Sequence, residues 1–181
     1  MDRPLIAVFG SSTIAAESDA YRLAEDLGRL LARAGAAVMS GGYSGVMDAV
    51  SRGARAEGGH VIGVTTELFA ARSPSTWLSE QVHTNDLFDR LRHLVMQPTG
   101  YVAAGGNIGT LTEVFLAWNM LAVQGRTAAP LILLGEQYGG LLDYLRRARL
   151  VENAEHLAMV RHAATAEDAL ELLGLAGRVV S

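Results

Sequence analysis

The stretch Gly100-Tyr101-Val102-Ala103-Ala104-Gly105-Gly106-Asn107-Ile108-Gly109-Thr110-Leu111-Thr112-Glu113 sets three kinds of residue in succession. The apolar run from Gly100 to Ala103 predicts a buried strand. Gly105 to Thr110 predicts a turn of small residues, and Ile108 to Gln124 carries a helical pattern. A strand that passes through a glycine turn into a helix is part of a strand–helix–strand unit. The same order recurs along the chain. Leu5–Phe9, Ala36–Met39, Val61–Val64 and Leu131–Leu134 are also nearly continuous apolar runs, as parallel strands covered on both faces are. A late strand is expected around Met159–His162.

Helical patterns lie between these runs. Tyr21, Leu23, Ala24, Leu27, Leu30 and Leu31 recur at helical spacing, with Arg22, Glu25, Asp26, Arg29 and Arg33 opposite and Gly35 placed to stop the helix. Residues 45–57, 86–96, 141–149 and 165–173 also predict helices, the last opened by Thr165. The expectation is α/β: one domain over residues 1–181, a doubly wound parallel sheet of about 6–7 strands with helices on both faces. The least regular stretch, Thr65 to Leu78, reads as a surface loop or as a lid.

Composition removes several chemistries. The 181 residues contain no Cys, and all 15 basic residues are Arg. Without Cys there is no disulfide framework, thiolate nucleophile or Cys-ligated zinc. Without Lys there is no Schiff base and no phosphate-loop lysine. The histidines, His60, His83, His93, His156 and His162, lack metal-ligand spacing, so no metal site is expected. A net charge of −4 argues against a nucleic-acid partner. No apolar run approaches a membrane span, and the apolar stretch after Met1-Asp2-Arg3-Pro4 is short for a signal peptide. A soluble cytoplasmic protein is expected.

Three strands end in small-residue turns: Gly10-Ser11-Ser12-Thr13, Ser40-Gly41-Gly42-Tyr43-Ser44-Gly45, and Gly105 to Thr110. In open parallel sheets, ligands sit beyond the carboxyl ends of the strands. Glycine turns there expose backbone N–H groups, and the following helix adds its positive dipole end. Together they predict a pocket for a phosphorylated or otherwise anionic ligand. The first turn is not GxGxxG, so the dinucleotide fingerprint is absent. Gly42-Tyr43-Ser44-Gly45 falls short of a nucleophile elbow, because Val46 stands where glycine is needed.

Glu113 is placed by helical spacing near the third turn, off a buried stripe of Leu111, Val114, Phe115, Trp118 and Leu121. A carboxylate beside a phosphate cradle suits general-base chemistry or stabilisation of a developing cation. Thr110-Leu111-Thr112-Glu113 also fits a capping box. Arg90 reads either as a clamp on phosphate or ribose oxygens or as a solvated partner of Asp86. Trp118 and Tyr101 read as core.

Gly41-Gly42-Tyr43-Ser44-Gly45-Val46-Met47 and Gly105 to Glu113 resemble the two signatures of the Lonely Guy (LOG) family. Val8-Phe9-Gly10-Ser11-Ser12 and Gly58-Gly59-His60-Val61-Ile62-Gly63-Val64 are similar to it as well. The resemblance is collinear from about residue 5 to about residue 145. It implies a Rossmann-like homodimer that hydrolyses nucleoside 5′-monophosphates, including cytokinin nucleotides, to free base and ribose 5-phosphate, without a cofactor. By the same resemblance, Glu113 is the catalytic glutamate, Arg90 the essential arginine, and Asp86 the aspartate of that arginine's motif. Gly105, Gly106, Gly109 and Thr110 would hold the 5′-phosphate, with Asn107 in the same turn. Gly10, Ser11, Ser12, Gly41, Gly42 and Gly45 would complete the pocket.

The chain departs from the family at Ala104, where proline is usual, and at Tyr43 and Asp48, where glycine is usual. It departs again at Leu91, where plant-type members have Lys. Family members often carry a lysine decarboxylase label, and a chain without Lys cannot run Schiff-base chemistry of its own. These departures keep a second expectation in view, a non-catalytic nucleotide or molybdenum-cofactor-type carrier of a phosphorylated ligand. A DNA-processing protein of related fold is disfavoured by the net charge.

Overall fold

Side chains along a strand alternate between two faces, and here both faces are covered. Ile6, Val8, Val38, Val61, Val102 and Ile132 enter one buried layer, while Ala7, Phe9, Met39, Tyr101, Ala103 and Leu131 enter the other. That is why the strands read as unbroken apolar runs. The computed structural model describes residues 3–125 and 129–178. Residues 1–2, 126–128 and 179–181, part of the single-domain expectation, lie outside the described residues.

The strands are β1 (Leu5–Phe9), β2 (Ala37–Ser40), β3 (Val61–Thr66), β4 (Glu80–Thr84), β5 (Gly100–Ala104), β6 (Leu131–Leu134) and β7 (Val160–Ala163). They form one seven-stranded sheet in the order β4-β3-β2-β1-β5-β6-β7. Every neighbouring pair is parallel. β1 pairs with both β2 and β5, so the winding reverses between β1 and β5. This is the switch point where α/β sheets open a crevice.

The helices are α1 (Asp19–Arg33), α2 (Val46–Ala56), α3 (Leu87–Met96), α4 (Ile108–Val123), α5 (Leu141–Arg147), α6 (Ala154–Ala158) and α7 (Ala166–Leu172). Buried residues of α1, α2 and α7 share one layer, and those of α3, α4 and α5 share the other. The doubly wound architecture expected from the sequence is therefore present. No helix among the described residues is long and apolar enough to cross a membrane.

Local signals set the helix ends. Ser18 caps α1 by accepting from the Tyr21 N–H. Gly35 ends that helix at φ 75°, a left-handed conformation that costs glycine little. Thr165 and Asp168 form a capping box at α7.

Three expectations change. β4 was not expected: Glu-Gln-Val-His-Thr carries no apolar run, because it is an edge strand on which only Thr84 is buried. Thr65 and Thr66 belong to β3 and are buried, so the irregular segment begins at Glu67. Glu25 is 8% exposed rather than on a solvated face, held by Arg29 and by Arg52 at 3.7 Å as α2 packs over it.

Candidate active site

The three turns that follow β1, β2 and β5 are joined through one residue. The Ser11 N–H donates to the Gly105 carbonyl at 3.0 Å, and the Ser11 carbonyl accepts from the Val46 N–H at 3.0 Å. The Ser44 hydroxyl adds a bond to the Ser12 carbonyl at 2.9 Å. Gly45 makes this meeting possible. Its φ is 69°, and a Cβ there would run into the Ser11 carbonyl.

A cavity of about 330 Å³ opens beside this junction. Gly10, Ser11, Ser12 and Thr13 form one wall, and Asn107, Gly109, Thr110, Thr112 and Glu113 of the α4 start form another. Met47, Leu87, Arg90 and Leu91 close a third side, and Phe69 and Arg72 overhang it. The volume falls within the usual range for small-molecule sites.

Among the expected site residues, the cavity gathers Gly10, Ser11, Ser12, Arg90, Asn107, Gly109, Thr110 and Glu113. Gly41, Gly42, Gly45, Gly105, Gly106 and Asp86 are not among the residues that line it. Gly41 has a different task from cradling phosphate: a Cβ there would collide with the Arg90 guanidinium, so glycine admits the arginine. Asp86 caps α3, its Oδ1 accepting from the Asp89 N–H at 2.8 Å. Its carboxylate is therefore directed to the helix and does not pair with Arg90.

Arg90 is buried, 6% exposed. Nε donates to the Val64 carbonyl at 2.9 Å, Nη2 to the Gly41 carbonyl at 3.4 Å, and Nη1 lies 3.6 Å from Glu113 Oε1. The guanidinium also sits 5.8 Å from the Phe69 ring centre and 6.0 Å from that of Tyr43. Burial lowers its pKa, and the Glu113 charge opposes that shift. The expected clamp is thus an anchored guanidinium facing the carboxylate.

Glu113 is the counterpart. Its side chain is 12% exposed. Burial raises its pKa to about 7, against the opposing pull of the Arg90 charge. A carboxyl poised near neutrality can hold or release a proton at working pH.

The capping-box alternative does not form. α4 starts a turn earlier, with Asn107 as its cap accepting from the Gly109 N–H, which places Glu113 in the second turn. The buried stripe also differs: Thr110, Val114, Ala117, Trp118 and Leu121 face the core, and Phe115 is exposed. Tyr101 and Trp118 are core residues, as expected.

The family model described as the SLOG cluster4 family matches residues 3–156. The chain belongs to the SLOG cluster4 family. A relative from Rhodococcoides fascians, named cytokinin riboside 5′-monophosphate phosphoribohydrolase, is 31% identical over 134 residues, covering 70% of this chain and 66% of that protein. One from Oryza sativa subsp. japonica, named a probable enzyme of the same activity, is 30% identical over 147 residues, covering 79% of this chain and 64% of that protein. The chain thus spans about two thirds of the length of these curated relatives. A solved structure, the molybdenum cofactor binding protein of Rippkaea orientalis, superposes with a TM-score of 0.77 at 27% identity, covering 96% of this chain and 97% of that one. The resemblance drawn from the glycine turns is borne out by the named relatives.

In this SLOG cluster4 chain, two departures noted in the sequence share one structural result. Tyr43 is buried, and its hydroxyl donates to the Thr66 carbonyl at 3.2 Å and accepts from the Thr66 N–H at 3.0 Å. Its ring meets Phe69 edge-on at 5.9 Å. Asp48 accepts from the Ser75 hydroxyl at 2.7 Å and from the Tyr21 hydroxyl at 2.8 Å. Both side chains tie down the segment after β3. That segment carries Arg72, which sequence reasoning missed. The available signal was that Arg72 is the only basic residue between Thr65 and Leu78.

Proposed function

We propose that the chain hydrolyses the N-glycosidic bond of nucleoside 5′-monophosphates, giving free base and ribose 5-phosphate. The observation that carries the reading is the largely buried Glu113 carboxyl, poised near neutrality beside Arg90 in a cavity bordered by the start of a helix. Cleaving this bond builds positive charge on the ribose ring. An ionised carboxylate stabilises that charge and orients a water. The water oxygen bonds to the anomeric carbon, the bond to the base breaks, and its electron pair leaves with the base nitrogen. Glu113 takes the water proton and returns it, through water, to the departing base nitrogen, which leaves as the neutral base and restores the carboxylate.

Arg90 acts as a positioning residue, because its charge offsets the effect of burial and keeps part of the Glu113 population ionised. The phosphate rests against Ser11, Ser12 and the first turn of α4, whose N–H groups and dipole favour an anion.

Incubation with a panel of nucleoside monophosphates, assayed for ribose 5-phosphate, tests the reading. Glu113→Gln is expected to lower turnover about 100- to 10,000-fold. kcat/KM should rise with pH through about 7 as Glu113 ionises. Absence of turnover, or full activity in Glu113→Gln, overturns it.

The full-length likeness to a molybdenum cofactor binding protein favours a second reading, a carrier of a phosphorylated ligand. Mass spectrometry of ligand retained on the native protein separates the two. A tightly held intact pterin or nucleotide, without turnover, selects the carrier.

A homodimer is part of the proposal. Phe88 on α3 is 80% exposed, Ile108 on α4 is 78% and Val123 is 73%, giving an apolar face for a second copy. Sedimentation of the wild type and Phe88→Asp checks it, with a shift to monomer expected in the variant.

A further inference from the structure

We infer that Arg72 is the residue that reads the charge of the ligand's phosphoester, and that the segment after β3 is tied over the cavity to present it. This rests on reading the cavity as a phosphoester site, and it holds whether the phosphoester belongs to a nucleotide or to a pterin.

Charge is the first argument. Only three charged side chains line the cavity among the described residues: Arg72, Arg90 and Glu113. Arg90 and Glu113 face each other at 3.6 Å. Among the described residues, no carboxylate lies within ion-pair distance of Arg72. With Glu113 ionised, the Arg90 charge is balanced and the cavity carries one uncompensated positive charge, on Arg72.

Donor capacity is the second argument. Arg90 has Nε and Nη2 occupied by backbone carbonyls and Nη1 turned to Glu113. Arg72 has an exposed guanidinium whose only hydrogen bond among the described residues is from Nη1 to the Ser12 hydroxyl at 3.1 Å. Most of its forked donors remain free for phosphate oxygens, and a hydroxyl partner is neutral.

Placement is the third argument. The guanidinium lies 4.8 Å from the Phe69 ring centre, and the Arg90 guanidinium lies 5.8 Å from the same ring. One aromatic ring thus serves both cations. Ser12 belongs to the β1 turn, which forms the wall facing the start of α4. An anion there meets the helix N-terminus on one side and Arg72 on the other. Ser75 fixes the approach three residues later: its N–H donates to the Gly42 carbonyl at 2.9 Å and its hydroxyl to Asp48. Asp48 is accordingly a positioning residue for Arg72.

The test uses the full chain. Calorimetry with ribose 5-phosphate and with ribose is run on the wild type, Arg72→Gln, Arg72→Lys and Arg92→Ala. Arg92 is an exposed α3 arginine outside the cavity and controls for the change in net charge. Arg72→Gln is expected to weaken ribose 5-phosphate binding about 10- to 100-fold and leave ribose unaffected. Arg72→Lys should fall between, and Arg92→Ala should match the wild type. In steady-state assays with adenosine 5′-monophosphate, the Arg72→Gln loss should fall on KM, with Asp48→Asn showing a smaller rise. Unchanged ribose 5-phosphate affinity in Arg72→Gln overturns the inference, as does a wild type that binds ribose and ribose 5-phosphate alike. A wild type with no turnover, whose ribose 5-phosphate affinity still falls in Arg72→Gln, upholds the inference and removes only the hydrolase reading.

Discussion

Two helix pairs lie on opposite faces of the sheet and are joined by opposite means. α1 and α2 meet backbone to backbone. A Cβ on Gly28 would strike the Val50 carbonyl, and one on Gly53 would strike the Glu25 carbonyl. α3 and α4 meet across the Arg90–Glu113 ion pair at the edge of a cavity. Close glycine contacts make a dry, rigid seam. A buried ion pair seldom stabilises a fold more than apolar side chains of the same volume, because desolvation offsets its attraction. The difference assigns rigidity to one face and chemistry to the other.

Breaking the ion pair from one side should have the largest effect. Arg90→Met leaves Glu113 buried without a counter-charge and is expected to cost about 3–5 kcal/mol at pH 8. The cost should shrink at pH 5, where Glu113 is protonated with or without its partner. Urea unfolding at the two pH values measures both. If the pair serves chemistry rather than stability, the double variant Arg90→Met/Glu113→Leu should recover most of the loss and remain inactive.

Glu113 itself makes a pH signature of similar size. Its folded pKa of about 7 lies above the ordinary carboxylate value of about 4.5, so the folded state binds the extra proton between those values. Stability from this group is fully present below about 4.5 and is lost as pH rises through about 7. The shift corresponds to about 3 kcal/mol. Glu113→Gln should remove this slope, so its stability relative to the wild type should improve from pH 5 to pH 8. Parallel curves for the two proteins would contradict the buried carboxyl.

The glycine seam should respond without any pH dependence. Gly53→Ala forces a methyl group against backbone rather than against a flexible side chain, at an expected cost of about 1–3 kcal/mol. Equal losses at pH 5 and pH 8 would set this seam apart from the Arg90–Glu113 contact.

The two faces were not equally legible in the sequence. β1, β2, β3, β5 and β6 were plain because burial on both sides leaves an unbroken apolar run. β4 was hidden because an edge strand needs no such run. The cavity walls built from consecutive residues, Gly10–Thr13 and Asn107–Glu113, could be read from glycine turns feeding helices. Arg72 could not, since its place depends on Ser75 reaching Asp48 and on Ser12 coming from the first turn. Gly41 was legible as a special position but not for its reason, because the demand comes from Arg90, distant in sequence. The α4 stripe was misplaced because Phe115 is apolar yet exposed, and pattern alone does not separate core from an apolar outer face.

Asp48 is where the two regions touch, and it supports the smallest of these predictions. Its carboxylate takes one hydroxyl from α1, Tyr21, and one from the segment over the cavity, Ser75. Both bonds are to a charged acceptor, but they fix different bodies. Tyr21 is 5% exposed within the rigid layer, so Tyr21→Phe should cost about 1 kcal/mol of stability and leave phosphoester affinity near that of the wild type. Ser75 sits on the exposed segment, so Ser75→Ala should spare global stability and lower phosphoester affinity by a few-fold. The two variants remove one hydroxyl each from the same carboxylate. Opposite readouts would place the boundary between scaffold and site at Asp48, whereas matching readouts would mean that the segment over the cavity unfolds with the core and is no separate element.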